Sequence, residues 1–488
     1  MIRRAVVGLG PIAFLLTVVV PAPETLSAAA WHVAGLAAWM ATWWLTAVVP
    51  LEATALLPIL FLPLTGVAPL TDVTRSYADP IIFLFLGGFL LAATLERWNL
   101  HKRFALGTVR AVGTDSRRVV LAFMIASAVA SMWISNTATA IMMLPIAVAV
   151  LGGRSGTSAA TGAPTPLPEG VGGFPTALML GVAYGASIGG VATLIGTPPN
   201  AIFAGAAREL LGEDVSFAKW MALGVPIAIV MLAGCWRLLV ALFRVRGTVP
   251  GLAETLERER RGLGPLSGGE RFVLTVFVLT AVSWVLRAPK EIGSLRVPGL
   301  SDVLPGISDP AIAIAAAVVL LVTPLRGQRF RVALDWESAS KIPWGILLLF
   351  GGGLALAAAF EASGLSQWLG GLLASLRGVP LPVVMLVTAA VFVFLTELTS
   401  NTATAALGMP LMAGVALGLG LPALPLMATV AVASSMAFML PVATPPNAIV
   451  FGSGRIRPGE MARAGIVLNV MSILITTVAL SIGAALTR

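Results

Sequence analysis

The sequence predicts an all-α polytopic membrane protein built as an inverted-repeat transporter, and two observations carry that prediction. Hydrophobic residues make up 58% of the 488 positions and charged residues only 11%, too little polar surface to clothe a water-soluble globule. Two hexapeptides each occur twice, Ser-Asn-Thr-Ala-Thr-Ala at Ser135 and Ser400 and Thr-Pro-Pro-Asn-Ala-Ile at Thr197 and Thr444, which marks an internal repeat.

Residues 1–30 hold a first transmembrane helix, near 4–20, and an external loop. Met1-Ile-Arg-Arg ahead of an apolar run also fits a secretory signal peptide, but the segment reads as a retained helix and the topology that follows is the same either way. A first repeat occupies 31–243, with spans near 31–49, 51–68 and 80–96. The apolar stretch 119–150 is interrupted by the polar Ser-Asn-Thr group, and each half falls short of the roughly 20 residues a crossing needs. Two short helices meeting at a polar tip form a re-entrant hairpin, which lipid tolerates only where protein or a water-filled cavity surrounds the tip. A helix over 173–210 is broken at its paired prolines, because proline lacks an amide hydrogen and clashes with the preceding turn.

A cytoplasmic linker over 244–270 leads to the second repeat, 271–488. It has spans near 271–287, 309–324 and 344–360, a hairpin at 381–417 and a broken helix at 422–453. Leu86-Gly87-Gly88 matches Gly351-Gly352-Gly353, Glu96 matches Glu361 and Pro145 matches Pro410, all displaced by 265, whereas the Thr-Pro-Pro-Asn segments are displaced by 247. The difference falls in Gly152 to Gly172, a Gly/Ser/Thr/Ala/Pro loop without chemistry.

The net charge of +9 reads as a topology signal. A cytoplasmic N-terminus places Arg97, Lys102, Arg103, Arg110, Arg117, Arg118, Arg244, Arg246, Arg258, Arg260, Arg261, Arg326, Arg329, Arg331, Arg455 and Arg457 inside and the C-terminus outside. The first hairpin then enters from the cytoplasm and the second from outside, so the halves are inverted copies. One cysteine, Cys235, excludes an internal disulfide, and His32 and His101 as the only histidines argue against a zinc centre.

An inverted repeat brings its equivalent elements together near the membrane midplane. Freed carbonyls with Ser, Thr and Asn oxygens suit sodium. Ser131 stands four residues before Ser135, with Asn136 at the tip, and Thr396 stands in the same relation to Ser400 and Asn401. Helix starts beside the tips favour an anion. With no arginine or lysine near either tip, the anion would rest on Asn136, Thr137, Asn401, Thr402, helix termini and bound cations. Glu397, costly in lipid, has Met132 as its repeat partner; a hydrogen bond stiffening the hairpin and a role in coupling or substrate binding fit it equally. Glu96, Glu361, Asp79 and Lys341 read as capping or interfacial residues, and Trp43, Trp44 and Trp344 as interface anchors or core. Gly185-Ala-Ser-Ile-Gly189 matches the hydrolase nucleophile elbow only as a string; its small residues suit close helix packing. A membrane channel and an intramembrane enzyme are the competing classes. Opposed hairpins suit alternating access rather than a pore, and no nucleophile–histidine pair or acidic pair serves an enzyme.

The two Ser-Asn-Thr hairpins, the two Thr-Pro-Pro-Asn breaks, Leu349-Phe-Gly-Gly-Gly353 and Phe394-Leu-Thr-Glu397 together resemble the divalent anion:sodium symporters, the INDY-type carriers of dicarboxylates, citrate or sulfate. The resemblance covers nearly the whole chain. It implies a homodimer in the plasma membrane, each protomer with about eleven transmembrane helices and two hairpins, divided into a scaffold and an elevator-type transport domain. Carried over residue by residue, it implies a first sodium site at Ser131, Ser135, Asn136 and the Gly196 carbonyl. A second would use Thr396, Asn401 and the carbonyls of Thr399 and Ala443. The anion would meet Asn136, Thr137, Thr197, Asn401, Thr402, Thr444 and Pro445. The function implied is uptake of a small dianion, a C4-dicarboxylate such as succinate, coupled to two or more sodium ions, since a dianion must be neutralised before it crosses a low-dielectric core. Sodium-independent exchange and sodium-coupled citrate or sulfate transport are the alternatives.

Overall fold

The computed structural model describes residues 2–111, 113–151, 173–249, 252–292, 295–325, 332–372, 375 and 377–486. The loop expected over 152–172 and Arg326, Arg329 and Arg331 lie outside the described residues. The described chain is helical apart from one antiparallel ribbon, Lys290–Ile292 with Leu295–Val297, and two isolated bridges. Among the described residues, six helices are long and apolar enough to cross a membrane by length and composition. The longest unbroken ones, Phe217–Leu242 and Pro458–Leu486, each follow one of the broken helices.

One expected span is not a single helix. Residues 51–68 form Leu51–Thr54 and Leu57–Leu64, because Pro58 has no amide hydrogen to offer the preceding turn. The interruption leaves the Ala55 carbonyl without its helical donor, and the Tyr77 hydroxyl donates to it instead.

The repeat is visible residue for residue. The outer arms of the hairpins are Ser116–Ser131 and Leu381–Thr396, and the inner arms begin at Asn136 and Asn401, each pair displaced by 265. Ahead of them lie short helices, Leu100–Ala111 and Leu365–Leu372, each entered through a left-handed residue, Asn99 at φ 53° and Gly364 at φ 81°. Glycine and asparagine tolerate that conformation best, which explains the residue choice at these equivalent corners.

The helices sort into two bundles. One contains Ala28–Thr46, the split helix 51–64, Leu70–Tyr77, Pro80–Arg97, Gly268–Leu286, Asp309–Val322 and Trp344–Ser363. The other contains both hairpins, Phe174–Gly190, Pro198–Leu211, Phe217–Leu242, Ala423–Ala433, Pro445–Phe451 and Pro458–Leu486. The duplicated glycine pair sits at the boundary. A Cβ on Gly87 would come within 2.6 Å of the Ala313 carbonyl carbon, and one on Gly352 within 2.8 Å of Ala55 Cα, both inside the first bundle. Their neighbours Gly88 and Gly353 face the second bundle, where a Cβ would lie 3.2 Å from Ile195 Cγ2 and 3.0 Å from Ala406 Cβ. One glycine of each pair thus closes its own bundle, and the next keeps the facing surface smooth.

Within the second bundle Phe174–Gly190 is buried along its whole length. A Cβ at Gly185 would fall 2.8 Å from the Met124 carbonyl oxygen, and Gly189 abuts the Ala128 backbone. Ser187 lies fully buried, so the segment is a packing surface and not a nucleophile elbow. Trp44 is fully buried and donates to the Leu51 carbonyl, whereas Trp344 is 42% exposed. Lys341 pairs with Glu337 at 3.1 Å.

Candidate functional site

Each broken helix is held open by the asparagine of its Thr-Pro-Pro-Asn segment. Asn200 Nδ2 donates to the carbonyls of Gly190 at 3.1 Å and Thr193 at 2.7 Å, and Asn447 Nδ2 donates to those of Ala437 at 3.2 Å and Leu440 at 3.1 Å. Both asparagines are fully buried. The paired prolines do not sit where the helices stop, as the sequence suggested: Phe174–Gly190 and Ala423–Ala433 end 8 and 12 residues earlier, and Pro198 and Pro445 open the next helices, where a missing amide hydrogen costs nothing. The carbonyls of each break therefore lack helical donors, and a buried carbonyl without a partner costs about 1–3 kcal/mol. These asparagines answer that need. Sequence reasoning placed the segments at the site without assigning the asparagines this role; their duplication beside proline was the available signal.

The hairpin tips repeat one contact. Ser131 Oγ donates to Asn136 Oδ1 at 2.5 Å, and Thr396 Oγ1 lies 2.7 Å from Asn401 Oδ1. Ser131 and Thr396 are fully buried behind the tips, so each asparagine is oriented by the hydroxyl five residues earlier. In the first half Thr193 Oγ1 ties the break to the tip by donating to the Met132 carbonyl at 2.5 Å. In the second, Thr396 Oγ1 also reaches the Ser434 carbonyl at 2.8 Å.

The second break has an additional anchor. Glu397, 3% exposed, accepts at Oε1 from the amides of Phe438 at 2.6 Å and Met439 at 2.8 Å and from Asn469 Nδ2 at 2.8 Å. Its Oε2 accepts from the Leu440 amide at 3.1 Å. The carboxylate therefore caps three successive backbone amides of the break. Of the two roles read from sequence, this geometry is the structural one, although the partner is the neighbouring broken helix and not the hairpin itself.

Tips and breaks surround one cavity of about 460 Å³. Ser135, Asn136, Thr137, Gly196 and Thr197 line it from the first half, and Thr399, Ser400, Asn401, Thr402, Ala443, Thr444 and Pro445 from the second. Helices begin at Asn136, Pro198, Asn401 and Pro445; the two that start at asparagine present first-turn amides at the wall, which favour negative charge, whereas Pro198-Pro199 and Pro445-Pro446 have no amide hydrogen to offer. Among the described lining residues none is charged. Ile195, Pro198, Leu398, Val442 and Pro446 complete this part of the wall, and the first bundle closes it with Leu45, Thr46, Ala47, Phe89 and Ile346, which the sequence did not single out.

The oxygen donors also converge. A Cβ placed on Gly190 would lie 2.6 Å from Asn136 Oδ1 and 3.2 Å from the Gly196 carbonyl oxygen, so both oxygens point at a space that only glycine leaves open. Hydroxyl, amide and carbonyl oxygens without a thiolate or imidazole suit a hard cation. No group of three or more His, Cys, Asp or Glu that could hold a metal occurs among the described residues.

Comparison with known proteins agrees with this geometry. The family model for the sodium:sulfate symporter transmembrane region matches residues 6–487. A protein of Staphylococcus saprophyticus, named sodium-dependent dicarboxylate transporter SdcS, is 41% identical over 470 residues, covering 96% of this chain and 88% of its own. SdcS of two Staphylococcus aureus strains is 41% and 40% identical over the same span, with the same coverage. A match over almost the full length, together with the duplicated tips and breaks meeting at one cavity, places this integral membrane protein in the divalent anion:sodium symporter family of transporters.

Proposed function

We propose that the protein takes up a small dicarboxylate, a C4 acid such as succinate, together with two or more sodium ions. The single observation that carries this reading is the cavity wall: paired hydroxyl, amide and carbonyl oxygens stand beside the helix starts at Asn136 and Asn401, with no charged side chain among the described lining residues. An unpaired dianion there would meet donors but no counter-charge. Cations bound beside it supply the missing charge, which makes sodium and substrate binding mutually favourable. The names of the SdcS relatives support a dicarboxylate substrate and dependence on sodium.

In this scheme Ser131, Ser135, Asn136 and the Gly196 carbonyl hold one sodium ion, and Thr396, Asn401 and the carbonyls of Thr399 and Ala443 hold another. Thr137, Thr197, Thr402, Thr444 and Pro445 meet the carboxylates, and the two asparagines contact both. The bundle carrying the site moves as an elevator against the other, which serves as scaffold, in a homodimer whose protomers each have about eleven transmembrane helices and two hairpins. Phe217–Leu242 and Pro458–Leu486 supply spans of the moving part. With the arginine-rich face inside, the N-terminus is cytoplasmic, the C-terminus external, and the cavity opens inward past Thr46, Ala47 and Ile346.

Uptake of labelled succinate into proteoliposomes, with sodium or choline outside and with malate, 2-oxoglutarate, citrate or sulfate as competitors, tests the proposal. Saturable uphill accumulation that needs sodium and is competed by C4 acids is expected. Uptake unaffected by choline replacement overturns symport and leaves exchange, while competition by sulfate or citrate alone overturns the dicarboxylate assignment.

A further inference from the structure

The face opposite the cavity mouth carries a cluster that spans the boundary between the bundles. Arg208 and Asp214, flanking the end of Pro198–Leu211, belong to the bundle that holds the site; Asp79, Arg287 and Asp309 belong to the other. Arg208 pairs with Asp79, which also caps Pro80–Arg97 by accepting from the Ile81 amide at 2.8 Å. Arg287 Nε meets Asp309 Oδ1 at 2.6 Å, and its Nη2 reaches Asp214 Oδ2 at 3.4 Å. Asp309 Oδ2 accepts from the Phe217 amide at 2.8 Å, so one carboxylate is bound from both bundles. The small cavity among these groups measures about 200 Å³.

Beneath the charges lies an aromatic stack that crosses the same boundary. Phe217 packs face to face on Trp284 with ring centres 4.5 Å apart, and Trp133, next to the first hairpin tip, stacks on Phe217 at 6.0 Å. Phe277 meets Trp133 edge-on at 5.1 Å. Phe217 is fully buried and Trp284 is 1% exposed. The sequence offered no hint of this arrangement, because its members are scattered from Asp79 to Asp309.

We propose that this cluster is a latch, and that it sets the population of the state in which the cavity opens toward the opposite face. The inference rests on the elevator reading above. For the site-bearing bundle to travel, Phe217 must leave Trp284 and Asp309, and Arg208 must leave Asp79. Asp79 and Asp309 are buried, so parting from their partners without a replacement leaves a carboxylate desolvated and uncompensated, and each contact is remade on return. Because these charges sit on different bundles and meet in only one of the two states, the free-energy gap between the states depends on the geometry of this one face.

The test is the distance between spin labels on cysteines placed at the exposed Glu213 and Leu304, one in each bundle, with Cys235 replaced by alanine. Pulsed spectroscopy on full-length protein in nanodiscs, with and without sodium and succinate, should show a shorter and a longer separation. Arg208→Gln, Asp79→Asn and Phe217→Leu should each move the ratio of the two toward the longer by roughly tenfold, about 1.4 kcal/mol. Arg208→Gln and Asp79→Asn combined should shift the ratio no further than either alone, because both remove the same pair. Two populations whose ratio ignores all of these variants overturn the latch while leaving the elevator in place. A single distance under every ligand condition overturns the elevator reading, and the latch with it.

Discussion

Replacing Glu397 with glutamine removes one charge and one acceptor while keeping nearly the same shape. In the parent, Oε1 takes three donations and Oε2 one, from the amides of Phe438, Met439 and Leu440 and from Asn469. A glutamine oxygen can keep the three donors at the Oε1 position, but its amide group then faces the Leu440 amide, donor against donor. One buried amide left without a partner costs about 1–3 kcal/mol, and the three retained bonds weaken because they lose their charge assistance. The sum is roughly 3 kcal/mol of lost anchoring for the break that leads to Ala443 and Thr444. Asn447 still holds this segment through Ala437 and Leu440, so only part of that loss reaches the binding equilibrium. A loss of about half, near 1.5 kcal/mol, corresponds to roughly tenfold weaker apparent sodium affinity, since 1.4 kcal/mol is a factor of ten. Sodium titration of succinate uptake in proteoliposomes, beside a thermal melt of the purified protein, measures both consequences. A lowered melting temperature with weakened sodium dependence is expected. An unchanged half-saturating sodium concentration and an unchanged melt would refute the claim that the carboxylate positions this break.

Three further outcomes follow from other contacts. Asn136→Ala and Asn401→Ala should each weaken sodium and substrate dependence together, because both side chains line the cavity and bond to the buried hydroxyls of Ser131 and Thr396; uptake kinetics in which only one dependence changes would separate two sites merged here. Asn200→Ala should destabilise the fold by about 1–3 kcal/mol through its orphaned carbonyls, read as a lower melting temperature; a melt equal to the parent's would show that water replaces the side chain. The Arg97 guanidinium, 2.5 Å from Asp335, holds that carboxyl well below the usual carboxylate range. A carboxylate lowered in the native state stabilises it above its unfolded value and loses that contribution as pH falls through the native value. The gap in melting temperature between parent and Asp335→Asn should therefore be full above about pH 4 and close on acidification, and a gap that ignores pH would exclude the pair as its source.

What the sequence determined by itself was the membrane class, the repeat and the positions of most wall residues. The reason is physical: composition decides which solvent a chain can tolerate, and proline or a polar group inside an apolar run breaks a helix through local sterics and hydrogen bonding alone. The displacement of 265 between the hairpins survives in the structure because each arm is a local element. The undivided span expected at 51–68 failed at Pro58, where the local rule was available and hydrophobicity outweighed it. Only the tertiary structure decided the roles of Glu397, Asn200 and Asn447, and it alone brought Leu45, Phe89 and Ile346 to the cavity and Arg208 to Asp79. Those relations join residues far apart in the chain, and a buried carboxylate cannot reveal its donors until packing has excluded water and delivered the amides of another helix to it.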